Sequence, residues 1–150
     1  MTGSSKDTTR ILLIEDSLVL AKIYMRYLHQ EPYKVVHVET GEEALAIIEY
    51  QPPHAIMLDL HLPDMHGIDI LKYITERGLP TSVVIITAYG SIDIAVEAMR
   101  AGAFDFLVKP FDANRLTVTL RNALEKQRLA RIVESLRAES QERYCGFIGS

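Results

Sequence analysis

Asp59 ends the run A-I-M-L-D, in which four apolar residues lead straight into a carboxylate, and L-H-L-P-D-M-H-G follows it. Three other short apolar runs end in groups of complementary chemistry: Ile11 to Ile14 in Glu15-Asp16, Val83 to Ile86 in Thr87, and Phe106 to Val108 in Lys109-Pro110. If the four runs are parallel strands, their endings share one edge, and three carboxylates, a hydroxyl and an ammonium converge there. A hard divalent cation such as Mg²⁺ takes oxygen ligands and keeps several waters. It therefore suits two or three carboxylates that also face a phosphate. Lys109 and Thr87 carry the charge and the donor needed to contact the remaining phosphoryl oxygens.

The sequence between these runs supplies the helices that parallel strands require. Glu15-Asp16-Ser17 opens a helix to about His29, with Leu18, Ala21, Tyr24/Met25 and Leu28 at helical spacing. Pro32 ends it, and Lys34 to Val38, short and β-branched, reads as a second strand. Thr40-Gly41-Glu42-Glu43 has the form of a capping box, the Thr40 hydroxyl taking an early amide while Glu43 reaches back. The helix it starts runs to about Tyr50, and Pro52-Pro53 stops it. A loop over 60–66 precedes a helix from Ile68 to Arg77, with Ile68, Leu71 and Ile74/Thr75 facing inward and Gly78 at a left-handed C-terminal position. A strand over Ser82 to Ile86, a helix over Ile92 to Ala101 closed by Gly102, a strand over Phe104 to Val108 and a helix capped by Asp112 complete the pattern.

Five repeats of strand then helix imply a doubly wound, flavodoxin-like α/β fold with five parallel strands in the order 2-1-3-4-5. That order puts the switch point between strands one and three, beside Asp16 and Asp59. Residues 1–9 lack periodicity and read as disordered. From Arg115 to about Arg143 there is neither Gly nor Pro, and residues 128–143 read as a helical linker beyond a domain that ends near 127. Its apolar spacing fits equally a short coiled coil between protomers or one amphipathic helix in solvent. Tyr144 to Ser150 restores Gly and apolar residues, as at the start of another domain.

The chain of 150 residues has 48% hydrophobic and 24% charged residues, the balance of a soluble globular protein. No apolar run approaches the roughly 20 residues that span a bilayer, and the polar N-terminus lacks the apolar core of a signal peptide, so a cytoplasmic location is expected. A net charge of -4 with scattered basic residues argues against direct DNA contact by this portion. Cys145, the single cysteine, excludes an internal disulfide and reads as an incidental thiol. His61 and His66 flank Asp59, but with no cysteine nearby they read as loop surface rather than a transition-metal centre. Asp64, beside Pro63, reads as a turn residue.

The motifs I-L-L-I-E-D, M-L-D-L-H-L-P-D-M-H-G, I-I-T-A-Y-G and G-A-F-D-F-L-V-K-P-F occur in that order, at spacings that resemble the phosphoacceptor receiver domains of bacterial two-component response regulators. The resemblance covers residues 10–127. It implies that Asp59 is the phosphorylated nucleophile, that Glu15, Asp16 and Asp59 hold Mg²⁺ with the backbone carbonyl of His61, and that Thr87 and Lys109 contact the phosphoryl group. It also implies that Thr87 and Phe106 form the conformational switch, that Lys109-Pro110 is cis, and that His61 and Tyr89 tune the lifetime of the acyl phosphate. Phe106 lacks the hydroxyl of the Tyr common at its position, leaving its rotamer to packing alone.

Y-C-G-F-I-G-S resembles the segment opening the ATPase domain of sigma-54-dependent activators, and the receiver is most similar to those of quorum-sensing phosphorelay regulators. The partners implied are a histidine phosphotransfer protein or sensor kinase upstream, the ATPase and DNA-binding domains of a longer chain downstream, and sigma-54 RNA polymerase through them. A homodimer through the fourth helix, fifth strand and fifth helix, or through the linker, is implied as well. Two alternatives stay open on the residues. One is a Mg²⁺-dependent phosphatase working through an aspartyl phosphate, although His61 stands where its general acid would be. The other is a receiver-like module that signals by binding without phosphorylation.

Overall fold

The computed structural model describes residues 8–148, with side chains for 8–140. The strands are β1 (Thr9–Ile14), β2 (Tyr33–Val38), β3 (Ala55–Asp59), β4 (Ser82–Thr87) and β5 (Asp105–Val108). The helices are α1 (Leu18–Tyr27), α2 (Gly41–Tyr50), α3 (Gly67–Glu76), α4 (Ile92–Arg100) and α5 (Ala113–Ile148). All strand pairs are parallel, in the order β2-β1-β3-β4-β5. β1 and β3, the central pair, diverge into helices on opposite faces, so the crevice opens at their carboxyl ends.

The period of two along β1, β3 and β4 is apolar on both sides. Leu12, Ile14, Ile56, Leu58, Val83 and Ile85 face α2, α3 and α4. Ile11, Leu13, Ala55, Met57, Val84 and Ile86 face α1 and α5. Full burial of such side chains stabilises by about 1.5–3 kcal/mol each. Two filled faces thus fix the strands' register, and with it the residues at their ends.

The expected elements are present with shifted ends. Thr9 belongs to β1, so the stretch expected to be disordered, 1–9, loses its last residue; 1–7 lie outside the described residues. The first helix starts at Leu18, because the Ser17 hydroxyl accepts the Leu20 amide and thereby caps it. Its buried residues are Ala21 and Tyr24, whereas Leu18 and Met25 are exposed. Helical spacing groups these two with Ala21 and Leu28, but among the described residues they remain exposed. Thr40 caps α2 by accepting the Glu43 amide, and the Glu43 carboxylate accepts the Thr40 hydroxyl at 3.0 Å, so the box closes side chain to side chain. Gly78 has φ +61 at the end of α3, as its residue type requires. Asp112 caps α5 by accepting the Arg115 amide at 2.8 Å.

Beyond the sheet α5 continues as one helix through 144–148; 149 and 150 lie outside the described residues. Its inner part is held by Leu116, Leu120 and Ala123, by Ser82 donating to the Ala123 carbonyl, and by Arg131 donating to that of Pro80. Leu129, Ile132, Val133 and Leu136 on its overhang are exposed. No helix among the described residues is long and apolar enough to cross a membrane.

Gly67, the first residue of α3, donates to the Leu60 carbonyl at 2.8 Å and closes the loop after β3. A Cβ added there would lie 2.5 Å from the Asp59 carbonyl oxygen and 2.7 Å from Leu60 Cα. Both are backbone atoms that cannot swing aside. Gly67→Ala is expected to lower the free energy of unfolding by about 1–3 kcal/mol in urea titration.

Candidate functional site

The carboxyl edge of the sheet collects the charged groups at the ends of its strands. The Glu15 amide still donates to Val38 of β2, at 3.1 Å, which fixes the residue immediately after β1. Its carboxylate is almost fully buried. Oε2 accepts the Ser17 amide at the start of α1, and Oε1 accepts Lys109 Nζ at 2.5 Å. Asp59, the last residue of β3, is also buried. Its Oδ1 accepts the His61 amide at 2.9 Å and its Oδ2 accepts Lys109 Nζ at 2.7 Å. Asp16 is exposed, and ligand atoms of Glu15, Asp16 and Asp59 lie within 4.8 Å of one another.

Lys109 reaches this pair from the end of β5. Its amide donates to the Thr87 carbonyl at 2.8 Å, and the Lys109-Pro110 bond is cis, as the resemblance implied. The next residue, Phe111, stacks on Tyr24 of α1 with ring centroids 4.9 Å apart. Burial pushes the Tyr24 phenol up to about 12. The lysine is therefore tied at both ends, by a strand and by a stacked ring.

Three carboxylates face one ammonium. Burial, the largest influence, raises the Glu15 pKa; Lys109 and the Ser17 amide oppose the rise, and the Asp59 charge adds to it. For Lys109 the largest single influence is burial, which lowers its pKa, but the bonds to Asp59 and Glu15 together outweigh it and the net shift is upward. The donor set consists of hard oxygens with negative charge left over, and one of its three members faces solvent. These residues fit a divalent cation of the Mg²⁺ type, with the ammonium supplying part of the positive charge.

The other expected site residues lie around this centre. Thr87, fully buried at the end of β4, accepts the Tyr89 amide through Oγ1 at 3.1 Å. Phe106, opposite Ile85 in β5, is half-buried and packs against the α4 side of the core. His61 shares a cleft of 460 Å³ with Asp16 and residues 62–66, and its ring meets Tyr89 edge-on at 4.5 Å. A cleft of 570 Å³ at the opposite edge, between His54 and α5, contains none of these groups.

Two residues do more than the sequence reading assigned them. His66, read as loop surface, caps α3 by accepting the Ile68 amide on Nδ1 at 3.3 Å. Asp64, read as a turn residue, accepts the amides of Gly41 and Glu42, both at 2.9 Å. Its preference for turns was visible beside Pro63; its partners, 22 and 23 residues earlier, were not.

A family model described as the response regulator receiver domain matches residues 11–121. Regulatory protein LuxO of Vibrio cholerae is 43% identical over 139 residues, which are 92% of this chain and 30% of that protein. The crystal structure of a signal receiver domain of a LuxO repressor protein from Vibrio parahaemolyticus superposes with a TM-score of 0.82 at 47% identity, covering 85% of this chain and 98% of that one. NtrX from Brucella abortus is similar with a TM-score of 0.78 at 32% identity, over 87% of this chain and 30% of its own. The chain thus spans about a third of the length of the curated relatives it matches.

The charge balance can be tested without metal. Glu15 has a folded-state pKa above its unfolded value, so its ionised form opposes folding at neutral pH, and that opposition is relieved as pH falls through the folded value toward 4.5. Lys109→Ala removes the counter-charge from two buried carboxylates. It is expected to cost about 3 kcal/mol of stability at neutral pH. The deficit relative to wild type should narrow on acidification as Glu15 takes up a proton, read by urea unfolding across that pH range.

Proposed function

We propose, for a chain that belongs to the response regulator receiver domain family, that Asp59 accepts a phosphoryl group in a Mg²⁺-dependent reaction and that the resulting charge switches the face built by α4, β5 and α5. The observation that carries this reading is the Asp59 carboxylate itself. It is buried at the end of a central strand, held by one ammonium and one amide, and set beside two further acids.

Glu15, Asp16 and Asp59, with the His61 backbone carbonyl, would hold the Mg²⁺. When bound, it supplies the positive charge that lets an anionic donor approach three carboxylates. An Asp59 oxygen attacks phosphorus, an O–P bond forms, and the bond from phosphorus to the donor's leaving atom breaks with its electron pair departing on that atom. Little covalent help is needed, because phosphoryl transfer depends mainly on positioning and charge neutralisation. Lys109 exchanges part of its bonding to Glu15 and Asp59 for a phosphoryl oxygen. The acyl phosphate brings roughly -1.5 to -2 charges and three acceptor oxygens, by analogy with other phosphorylations.

Thr87 then donates its hydroxyl hydrogen to the phosphoryl group. Its Oγ1 also holds the Tyr89 amide, so the 88–91 loop is drawn with it and Phe106 turns into the space released. A typical coupling of about 1–3 kcal/mol shifts populations five- to 150-fold, enough for a switch without refolding. The exposed Ile92, Val96 and Met99 of α4 and Val108 of β5 supply an apolar readout surface for a second copy or a neighbouring domain.

By its similarity to LuxO and NtrX, the chain is proposed to be the receiver of a longer cytoplasmic regulator acting in quorum sensing. In this reading 10–127 is the receiver, 128–143 the linker, and 144–150 the opening of a sigma-54-type ATPase domain. Its donor is a histidine phosphotransfer protein or sensor kinase. It reaches sigma-54 RNA polymerase through its ATPase and DNA-binding domains and makes no DNA contact of its own.

Incubation with acetyl phosphate and Mg²⁺ is expected to add one phosphoryl group to the intact mass of the wild type. None should be added to Asp59→Asn or to wild type without metal. Unmodified wild type, with folding and donor verified, would overturn the assignment of Asp59. Thr87→Ala should still be phosphorylated but lose phosphorylation-dependent association in sedimentation or light scattering; retained association would rule out the Thr87 route.

A further inference from the structure

The loop after β3 is closed on itself and clamped at its tip. Gly67 donates to the Leu60 carbonyl, and His61 and His66 form an antiparallel bridge, so 60–67 return nearly to their starting point. The tip is fixed to a different element, the start of α2. There the Asp64 carboxylate accepts the Gly41 amide on Oδ1 and the Glu42 amide on Oδ2, each at 2.9 Å.

Beside it the Met65 side chain occupies the space over Gly41. A Cβ on that glycine would come within 2.5 Å of Met65 Cγ and Sδ. The first four amides of α2 are thereby all accounted for. Gly41 and Glu42 bond Asp64, Glu43 bonds the Thr40 hydroxyl, and Ala44 bonds the Thr40 carbonyl. Thr40 alone leaves two of them unpaired. These two amides hold the Asp64 carboxyl below its usual pKa, so it is ionised at neutral pH and its bonds are charge-assisted.

We propose that Asp64 is a positioning residue for the metal site. It anchors the loop tip to α2 so that the His61 backbone presents its carbonyl at the cleft that it shares with Asp16. His61 lies within the closed loop, and its amide is committed to Asp59 Oδ1, which fixes the Leu60–His61 peptide and leaves the next peptide, which carries the His61 carbonyl, to the rest of the loop. The rest of the loop is short, and its orientation is otherwise set by the Leu60–Gly67 closure, the His61–His66 bridge, the partial burial of Leu62 and Met65 against the core, and the His61–Tyr89 ring contact. A carboxylate gripping two helix-end amides at the tip removes the remaining freedom. Groups that orient a ligand from outside commonly alter metal affinity by about 10- to 100-fold. Asp64 acts through three residues of backbone, so the lower end applies. The inference rests on the proposed role of the His61 carbonyl.

The test titrates MgCl₂ alone into wild type, Asp64→Ala, Asp64→Asn and Thr40→Ala by calorimetry, alongside thermal unfolding and amide hydrogen exchange without metal. Asp64→Ala should weaken Mg²⁺ binding about tenfold. Asp64→Asn should weaken it less, since one acceptor oxygen remains. Thr40→Ala removes the other cap of the same helix, so it should lower Tm while leaving Mg²⁺ affinity at the wild-type value. In the metal-free protein the Gly67 amide should exchange faster in Asp64→Ala and not in Thr40→Ala. If Asp64→Ala lowers Tm but leaves both Mg²⁺ affinity and Gly67 exchange unchanged, the clamp is a helix cap only and the proposal is overturned. If the wild type binds no Mg²⁺, the reading of the metal site fails, and Gly67 exchange alone then decides whether Asp64 positions the loop.

Discussion

Everything at the carboxyl edge depends on the Lys109 ammonium standing between Glu15 and Asp59. Two buried carboxylates this close repel each other, and burial alone already disfavours the charge on Glu15. A single cation bonded to both, at 2.5 and 2.7 Å, makes the arrangement tolerable. It does so with a compact charge on a flexible four-carbon stem. The site thus keeps two buried carboxylates close together around one cation. That strain is sustainable because the sheet beneath is filled on both faces, and the strand ends cannot relax apart.

Much of this was legible in the sequence because the information is local. A buried parallel strand reads as an apolar run, and the first polar residue after it must lie at the edge; Glu15, Asp59, Thr87 and Lys109 were placed by that rule alone. Strand order followed from the alternation of strands and helices. The limits have physical causes. Periodicity shows which side chains share a helix face but not whether anything packs against it, which is why Leu18 shares the helical spacing of Ala21 and is exposed, and why Tyr24 rather than Met25 is the buried one of that pair. The sequence also gives no sign of bonds between segments that meet only after folding. Asp64 with Gly41 and Glu42 is such a case, and so is Lys109 pairing with both acids rather than waiting open for a phosphate.

The helices differ in how firmly they are held, and the difference has a direction. α3 buries Gly67, Ile68, Ile70, Leu71 and Ile74, and its start is locked to Asp59 and Leu60 by Gly67. α4 buries only Ala98, and Ile92, at 83% exposed, stands in solvent. With about 1.5–3 kcal/mol attached to each fully buried large apolar side chain, far less opposes displacement of α4 than of α3. A perturbation at the strand ends therefore meets a rigid wall on the α3 side and a compliant one on the α4 side.

Compliance alone does not make a switch; a connection must carry the perturbation to the loose element. Thr87 provides it at one end, through its bond to the Tyr89 amide. Gly90 provides it at the other, because that residue lies so close to Val108 that a Cβ would collide with the valine side chain. The 88–91 loop is thus bonded to β4 and packed on β5, and Ser91 caps α4 by accepting the Ile94 amide. On the proposed switch, an inward move of Thr87 would shift the contact on Val108 and the capped end of α4 together. Phe106, half-buried in the same strand as Val108, would on the proposed switch be the large side chain nearest to such a shift. On the proposed function, the direction of signal flow would follow from where the core is thin rather than from any device peculiar to the charged site.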